Sequence, residues 1–248
     1  MTREQILAEM GITPLWRLRV PAGEGEAPAA EAAPSVPPAR PVVPASGGGS
    51  DRIAALDWPG LQEGVTACRA CPLCEQRRQA VLGVGDLHPD WLFIGEGPGA
   101  DEDAQGEPFV GQAGKLLDAM LAALGVRRGD KVYIANAVKC RPPGNRTPEA
   151  EEMAACRPFL ERQIALLEPK VIVLLGKAAV HTVLGSDKAL AALRGKAYDY
   201  RGIPVAVTYH PAYLLRNLPE KAKAWEDLLF ARRLLRKAQA RGRELPLG

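Results

Sequence analysis

The sequence lacks any long apolar run. None of its apolar stretches approaches the roughly 20 residues that a membrane-spanning helix needs. The first 20 residues alternate charged and apolar side chains, unlike the continuous apolar core of a secretion signal. The net charge is also small, +3 over 248 residues, which permits binding to nucleic acid without requiring it. We therefore expect a cytoplasmic protein that does not associate with membranes.

Histidine and cysteine are scarce, with three and five residues. Five is an odd number, and in a reducing compartment such cysteines are better interpreted as metal ligands or free thiols than as disulfides. His88, in a surface turn, and His181, within a helical pattern, are expected to be structural. His210 differs because it ends an apolar run and precedes Pro211, which favours a functional position.

The composition divides the chain into three parts. Residues 1–20 are compatible with one short amphipathic helix that docks on an unidentified partner, and equally with a frayed tail. Residues 21–50 are mostly Pro, Ala, Gly, Ser and Glu, so they cannot bury enough apolar surface to fold, and we predict a disordered linker. The folded domain is expected to span residues 51–248.

Within this domain, short apolar runs alternate with helical patterns. Strands are predicted at residues 91–95, 131–138, 170–176 and 203–209, and helices at 113–125, 147–169, 177–185 and 220–240. This order is typical of a parallel sheet covered on both faces. We predict an α/β fold, a three-layer αβα sandwich with a central four-stranded parallel sheet. Ligands of such folds bind beyond the carboxyl ends of the strands, where Asn136 and His210 are expected.

The loop after the first strand, "GEGPGADEDAQGEPFVG" at residues 95–111, contains no lysine. Glycine-rich turns in this position commonly bind phosphate through backbone N–H groups. This loop instead carries five carboxylates, which would repel a phosphate: Glu96, Asp101, Glu102, Asp103 and Glu107.

Four cysteines form two sets, C-x2-C at Cys68 and Cys71 and C-x15-C at Cys140 and Cys156. Four thiolates suit either tetrahedral zinc or an iron–sulfur cluster. Spacing does not separate the two, and taken alone it leans towards zinc. Cys74 is left over, in a position that a small buried apolar residue would fill equally well.

Three segments occur in order with these cysteines: "GEGPGADEDAQGEPFVGQAGKLLDAML", "YIANAVKCRPPGNRTP" and "TYHPAYLLRN". Together they resemble the family 4 uracil-DNA glycosylases, the iron–sulfur branch of that superfamily, over about residues 60–235. The resemblance implies the αβα sandwich, hydrolytic removal of uracil from DNA, and a 4Fe–4S cluster. The implied cluster ligands are Cys68, Cys71, Cys140 and Cys156. We expect a monomer that acts on uracil-containing DNA.

The resemblance also implies catalytic roles. Glu96 is the first candidate for stabilising a cationic sugar and positioning the attacking water, with Glu102 and Asp103 as further candidates. A neutral His210 would donate a hydrogen bond to O2 of the departing uracil. Gly97 stands where the better-known branch of the superfamily has an aspartate, so the carboxylate that positions the water stays open.

Base recognition is implied for four further positions. Phe109 resembles the residue that stacks on an extruded base, and Gly95 and Gly97 would let the backbone approach the base edge. Asn136 resembles the specificity residue, because its carboxamide can donate to uracil O4 and accept from N3–H, whereas cytosine presents the opposite pattern.

The residues after His210 are predicted to form a loop, and contacts with DNA are expected from this loop and from one arginine elsewhere. Leu214 would enter the space that the base vacates, with Tyr213 or Leu215 as alternatives. Arg216 and Arg146 would bind phosphate.

Two other functions compete with hydrolysis. A sister family traps uracil covalently through a histidine in a basic insertion near the third cysteine, but "KCRPPGNRTP" contains neither. A non-catalytic DNA-binding module of the same fold is the other alternative. Such a module has no need for the combination of Glu96, Phe109, Asn136 and His210.

Overall fold

The computed structural model describes residues 48–244, with side chains described for residues 50–240. The predicted N-terminal helix and most of the predicted linker lie outside this range. The first described helix, α1 (Gly48–Ala54), begins before residue 51, where the folded domain was predicted to start. No helix in the described range is long and apolar enough to cross a membrane.

Six strands form one sheet in the order β1-β3-β2-β4-β6-β5. They are β1 (Val84–Gly85), β2 (Trp91–Gly95), β3 (Val132–Asn136), β4 (Val171–Leu175), β5 (Tyr198–Tyr200) and β6 (Ile203–Thr208). The pairs β3–β2, β2–β4 and β4–β6 are parallel, which confirms the predicted four-stranded parallel sheet. The two edge strands are antiparallel and were not predicted, since they are only two and three residues long.

The four helices predicted from the sequence are present with slightly shifted ends: α5 (Gln112–Ala123), α6 (Ala150–Leu167), α7 (Lys177–Leu184) and α10 (Glu220–Glu244). Besides α1, five helices were not predicted: α2 (Trp58–Ala67), α3 (Leu73–Gln76), α4 (Ala100–Gln105), α8 (Leu190–Leu193) and α9 (Pro211–Arg216). The prediction of a loop after His210 is wrong. A helix forms there because Pro211 occupies its first position and His210 Nδ1 accepts a hydrogen bond from the Ala212 N–H.

Two buried cores lie on opposite faces of the sheet, because successive strand side chains alternate between faces. Leu92 and Ile94 pack with side chains of α6 and α7 on one face. Trp91 and Phe93 pack with side chains of α5 and α10 on the other. All five residues of β2 are buried, as expected for a sheet covered on both sides. The three layers are those of the predicted sandwich.

The carboxyl ends of the parallel strands meet along one edge. Gly95, the last residue of β2, pairs in register with Asn136, the last residue of β3. The Gly176 N–H, directly after β4, donates to the Thr208 carbonyl at the end of β6. His210 follows Thr208 by two residues, so the ends of four strands that are distant in the sequence converge on this edge.

Candidate active site

A cavity of about 650 Å³ opens at this edge of the sheet. Eight of the predicted site residues line it: Glu96, Gly97, Glu102, Phe109, Asn136, Arg146, His210 and Arg216. Gly95 and Leu214 do not line it.

Asn136 lies at the base of the site and is 2% exposed. Its Oδ1 is buried and has no hydrogen-bond partner in the described structure. Gly95 packs directly against this side chain. A Cβ at position 95 would lie 2.5 Å from Asn136 Oδ1 and 2.5 Å from Phe109 Cζ. A buried carbonyl oxygen without a donor destabilises the protein by about 1–3 kcal/mol. Asn136 lines the cavity, so its carboxamide is the polar group at the base of the site.

His210 is held as a neutral imidazole. Burial, helped by the positive charge of Arg216, lowers its pKa to about 4 from the usual 6.5. Because Nδ1 accepts the Ala212 N–H at 3.2 Å, the remaining ring proton is on Nε2. The ring stacks on Phe109, with 5.4 Å between centroids and 29° between planes. His210 thus provides an uncharged N–H donor in the cavity.

Phe109 has a backbone φ of +56°, a left-handed conformation that needs support from its surroundings. Arg128 provides it by donating hydrogen bonds to the carbonyls of Pro108 and Phe109 at 2.7 and 2.8 Å. A Cβ on Gly114 would lie 1.7 Å from the Phe109 carbonyl oxygen, so helix α5 can approach this loop only with glycine there. Neither Arg128 nor Gly114 was identified from the sequence as a residue that holds the Phe109 backbone. A glycine within a helical pattern, Gly114, was the feature of the sequence that could have indicated this close approach.

Glu102 braces the loop from inside. Its carboxylate accepts backbone N–H bonds from Gly99, Val110 and Gly111 at 3.0, 3.0 and 3.2 Å. This leaves little free capacity for activating water. Asp103 is buried, accepts the Arg78 N–H and does not line the cavity. The expectation that Asp103 is a further catalytic candidate is therefore wrong.

Glu96 is the remaining carboxylate at the cavity wall. Burial raises its pKa, and a hydrogen bond with the Thr147 side chain partly opposes that rise. Glu96 follows β2 directly, and its backbone carbonyl accepts the Val138 N–H. The desolvated carboxylate and the segment after β3 are thus fixed relative to each other.

The two predicted phosphate ligands differ in their surroundings. Arg146 makes a two-pronged ion pair with the largely buried Glu152, at 2.8 and 2.6 Å, so its charge is largely compensated. Arg216 is exposed at the cavity mouth and has no hydrogen bond or ion pair with another described residue. Of the two, Arg216 is the cation available to a phosphate.

Leu214 is 1% exposed, so its side chain faces the protein interior. The helix α9, which replaces the predicted loop, turns it inward. The same helix presents Tyr213 and Leu215, which are 37% and 41% exposed. Tyr213 also stacks on Tyr209, with 5.1 Å between centroids, and both line the cavity.

A second, smaller cavity is lined by all five cysteines. Three of them receive hydrogen bonds at sulfur: Cys140 from Arg77 Nη1 at 2.9 Å, Cys156 from the Lys139 N–H at 3.3 Å, and Cys71 from the Leu73 backbone. Cys74, which belongs to neither of the two cysteine sets in the sequence, shares their cavity. No described hydrogen bond reaches its sulfur.

The described cysteines do not have the arrangement of ligands around a single metal ion. Within the described range, no set of three or more His, Cys, Asp or Glu side chains has the spacing that a single metal ion needs. Burial raises the pKa of the Cys71 thiol to about 11 and that of Cys156 to about 12. Such thiols ionise when a bound cation compensates their charge, which fits a metal-containing occupant.

The fold and the cavity are those of an α/β protein with a ligand site at the carboxyl edge of its parallel strands. The family model of the uracil DNA glycosylase superfamily matches residues 82–229. The chain is 45% identical to the type-4 uracil-DNA glycosylase of Thermotoga maritima over 181 residues, 71% of this chain and 94% of that protein. It is 44% identical to the type-4 enzyme of Pyrobaculum aerophilum over 181 residues, 70% and 92% of the two chains. Identity falls to 32% for the type-5 enzyme of Thermus thermophilus, over 59% and 78% of the two chains. The chain therefore belongs to the type-4 family of this superfamily.

Proposed function

We propose that this protein removes uracil from DNA by hydrolysing the bond between N1 of the base and C1′ of the sugar, which leaves an abasic site. The observation that carries the proposal is that the Asn136 carboxamide, the desolvated Glu96 carboxylate and the neutral Nε2–H of His210 meet at one cavity. The type-4 names of the relatives support it. Because the base lies inside a duplex or strand, it is flipped out to reach the cavity.

Cleavage separates charge, and the site has a group for each sign. The departing uracil carries negative charge on O2, where the Nε2–H of His210 donates a hydrogen bond. The sugar becomes cationic, and the carboxylate of Glu96 stabilises it and orients the attacking water. Glu102 acts as a positioning residue, because its oxygens already hold three backbone N–H groups.

Base choice follows from the hydrogen-bond pattern of Asn136. Its Oδ1 accepts the N3–H of uracil and its amide donates to O4. Cytosine has an acceptor at N3 and a donor at the C4 amino group, so both contacts would be mismatched. Phe109 supplies an apolar face against the base, and glycine at 95 keeps Asn136 and Phe109 close together.

The DNA strand is held at the cavity mouth. Arg216 binds a phosphate, since its charge is free. Tyr213 and Leu215, the exposed alternatives to Leu214, fill the space left by the flipped base.

The cysteine cavity holds a 4Fe–4S cluster on Cys68, Cys71, Cys140 and Cys156. The spacing of the described cysteines, which does not match a single ion, and the hydrogen bonds at sulfur support this assignment over one zinc ion. When bound, the cluster supplies structural cross-linking between α2, the segment after β3, and α6. A monomeric, cytoplasmic enzyme remains our expectation.

The test is incubation of the full chain with a single-stranded oligonucleotide that contains one uracil, followed by alkali to cleave abasic sites. Cleavage at the uracil, and none in the matched oligonucleotide with cytosine, is expected. A protein–DNA adduct that survives denaturing electrophoresis would instead support the covalent sister activity. Binding without any cleavage would support a non-catalytic module.

A further inference from the structure

Lys139 is a buried cation that the catalytic scheme does not use. Its side chain is 1% exposed, and its Nζ donates hydrogen bonds to the Asn136 carbonyl at 2.9 Å and to Gln163 Oε1 at 2.6 Å. No carboxylate in the described part of the chain forms an ion pair with it. Burying an ammonium group without a carboxylate is unfavourable, so a specific role has to offset that.

The backbone of the same residue contacts the cysteine cavity. The Lys139 N–H donates to Cys156 Sγ at 3.3 Å, and Cys140 is the next residue in the chain. The Lys139 carbonyl accepts the Val81 N–H, which holds the segment from its other side. One residue thus contacts a proposed cluster ligand through its backbone and Asn136 through its side chain.

Helix α6 reinforces this connection. Cys156 and Gln163 are seven residues apart, about two helical turns, so they lie on one face of the helix. Gln163 is fully buried and donates to the Leu82 carbonyl and to the Tyr133 hydroxyl at 2.9 and 3.2 Å. The helix therefore fixes Lys139 at two points, through a sulfur and through an amide.

The Asn136 carbonyl lies at the last position of β3, beyond which the chain leaves the strand for the cysteine segment. The hydrogen bond from Lys139 Nζ holds this carbonyl oxygen, and so it orients the peptide group next to the Cα atom of Asn136. A small rotation there would move Oδ1, which lies directly against Gly95.

We propose that Lys139 is a positioning residue that couples the cysteine cavity to base recognition, by fixing Asn136 from the same segment that supplies Cys140. The proposal rests on the proposed function. Its consequence is that loss of the cluster impairs uracil recognition through Asn136, in addition to any loss of stability.

The test compares Lys139→Met, which removes the ammonium group at similar volume, with Gln163→Met. The second variant removes the other partner of Nζ and keeps the bond to Asn136. We expect Lys139→Met to lower single-turnover uracil excision roughly tenfold or more, since a charged donor is lost, and Gln163→Met to lower it clearly less. If both variants lose excision activity equally, and in proportion to their loss of thermal stability, the proposal is wrong.

A double-variant cycle separates positioning from general destabilisation. If Lys139 acts through Asn136, then Lys139→Met combined with Asn136→Ala excises uracil no more slowly than Asn136→Ala alone. Multiplication of the two single effects would contradict the proposal. If Lys139→Met does not yield folded protein, Lys139→Gln replaces it in the same comparison, because its shorter amide cannot reach both acceptors.

Two readouts do not depend on excision. Iron content and visible absorbance are expected to show that Lys139→Met retains its cluster, and amide hydrogen exchange is expected to accelerate at Ala137 and Val138, whose N–H groups bond to Gly95 and Glu96. Unchanged hydrogen exchange at Ala137 and Val138 in Lys139→Met would overturn the proposed positioning of Asn136 by Lys139, whatever the excision rates are. Wild-type protein that excises no uracil would overturn the proposed function instead, while the exchange comparison would still decide the role of Lys139.

Discussion

Acidification tests the state of His210 on which leaving-group stabilisation depends. With a pKa of about 4, roughly 97% of His210 rings are neutral at pH 5.5, whereas a histidine of pKa 6.5 would be only about 9% neutral. Burial is the main cause of the lowered pKa, and the charge of Arg216 adds to it, so Arg216→Gln is expected to raise the pKa. The lowered pKa of His210 also makes the free energy of unfolding depend on pH. Because the histidine of the unfolded chain is protonated below about pH 6.5 and that of the folded protein only near pH 4, the folded protein loses stability as the pH falls from 6.5 towards 4.

The assay is nuclear magnetic resonance of the imidazole nitrogens in protein labelled at histidine. The chain has only three histidines, so His210→Ala identifies the signal. We expect a ring protonated at Nε2 between pH 5 and 8 that titrates near pH 4. A midpoint near 6.5, or a proton on Nδ1, would refute the reasoning, because neither is compatible with a neutral Nε2–H donor whose Nδ1 accepts the Ala212 N–H.

Three further results are expected. Asn136→Asp should lose most uracil excision and gain weak cytosine release that improves at mildly acidic pH. Asn136→Ala should lose uracil excision without gaining cytosine release. Unchanged uracil excision in both variants would place base recognition elsewhere. Gly95→Ala should reduce uracil excision at least a hundredfold, since a Cβ would lie 2.5 Å from Asn136 Oδ1 and Phe109 Cζ. Circular dichroism should show that the variant stays folded, and normal excision kinetics would contradict this packing. The purified protein is expected to be brown, and Cys68→Ser, Cys71→Ser, Cys140→Ser or Cys156→Ser should each bleach it, whereas Cys74→Ser should not. A colourless protein with stoichiometric zinc would overturn the cluster.

The strand-end residues could be predicted from the sequence, because a parallel sheet brings its carboxyl ends to one edge. Asn136 and His210 are 74 positions apart in the numbering, yet the end of a strand gave a location for each. The motif resemblance supplied their chemical roles, which periodicity alone does not contain. Both line the cavity.

Other features depend on tertiary contacts that no local pattern encodes. Glu102 looks like any loop carboxylate until its three N–H partners are known. Leu214 was expected at the DNA because a loop was predicted where helix α9 turns it inward. Lys139 was unremarkable in the sequence, since its burial follows from the meeting of β3 with α6.

The most direct test of the account is a crystal structure of the protein with uracil bound. The account predicts uracil in the cavity at the carboxyl edge of the sheet, with N3 in hydrogen-bond distance of Asn136 Oδ1 and O2 in hydrogen-bond distance of His210 Nε2. Uracil bound at another place, or in this cavity with Asn136 Oδ1 still unpaired, would contradict it.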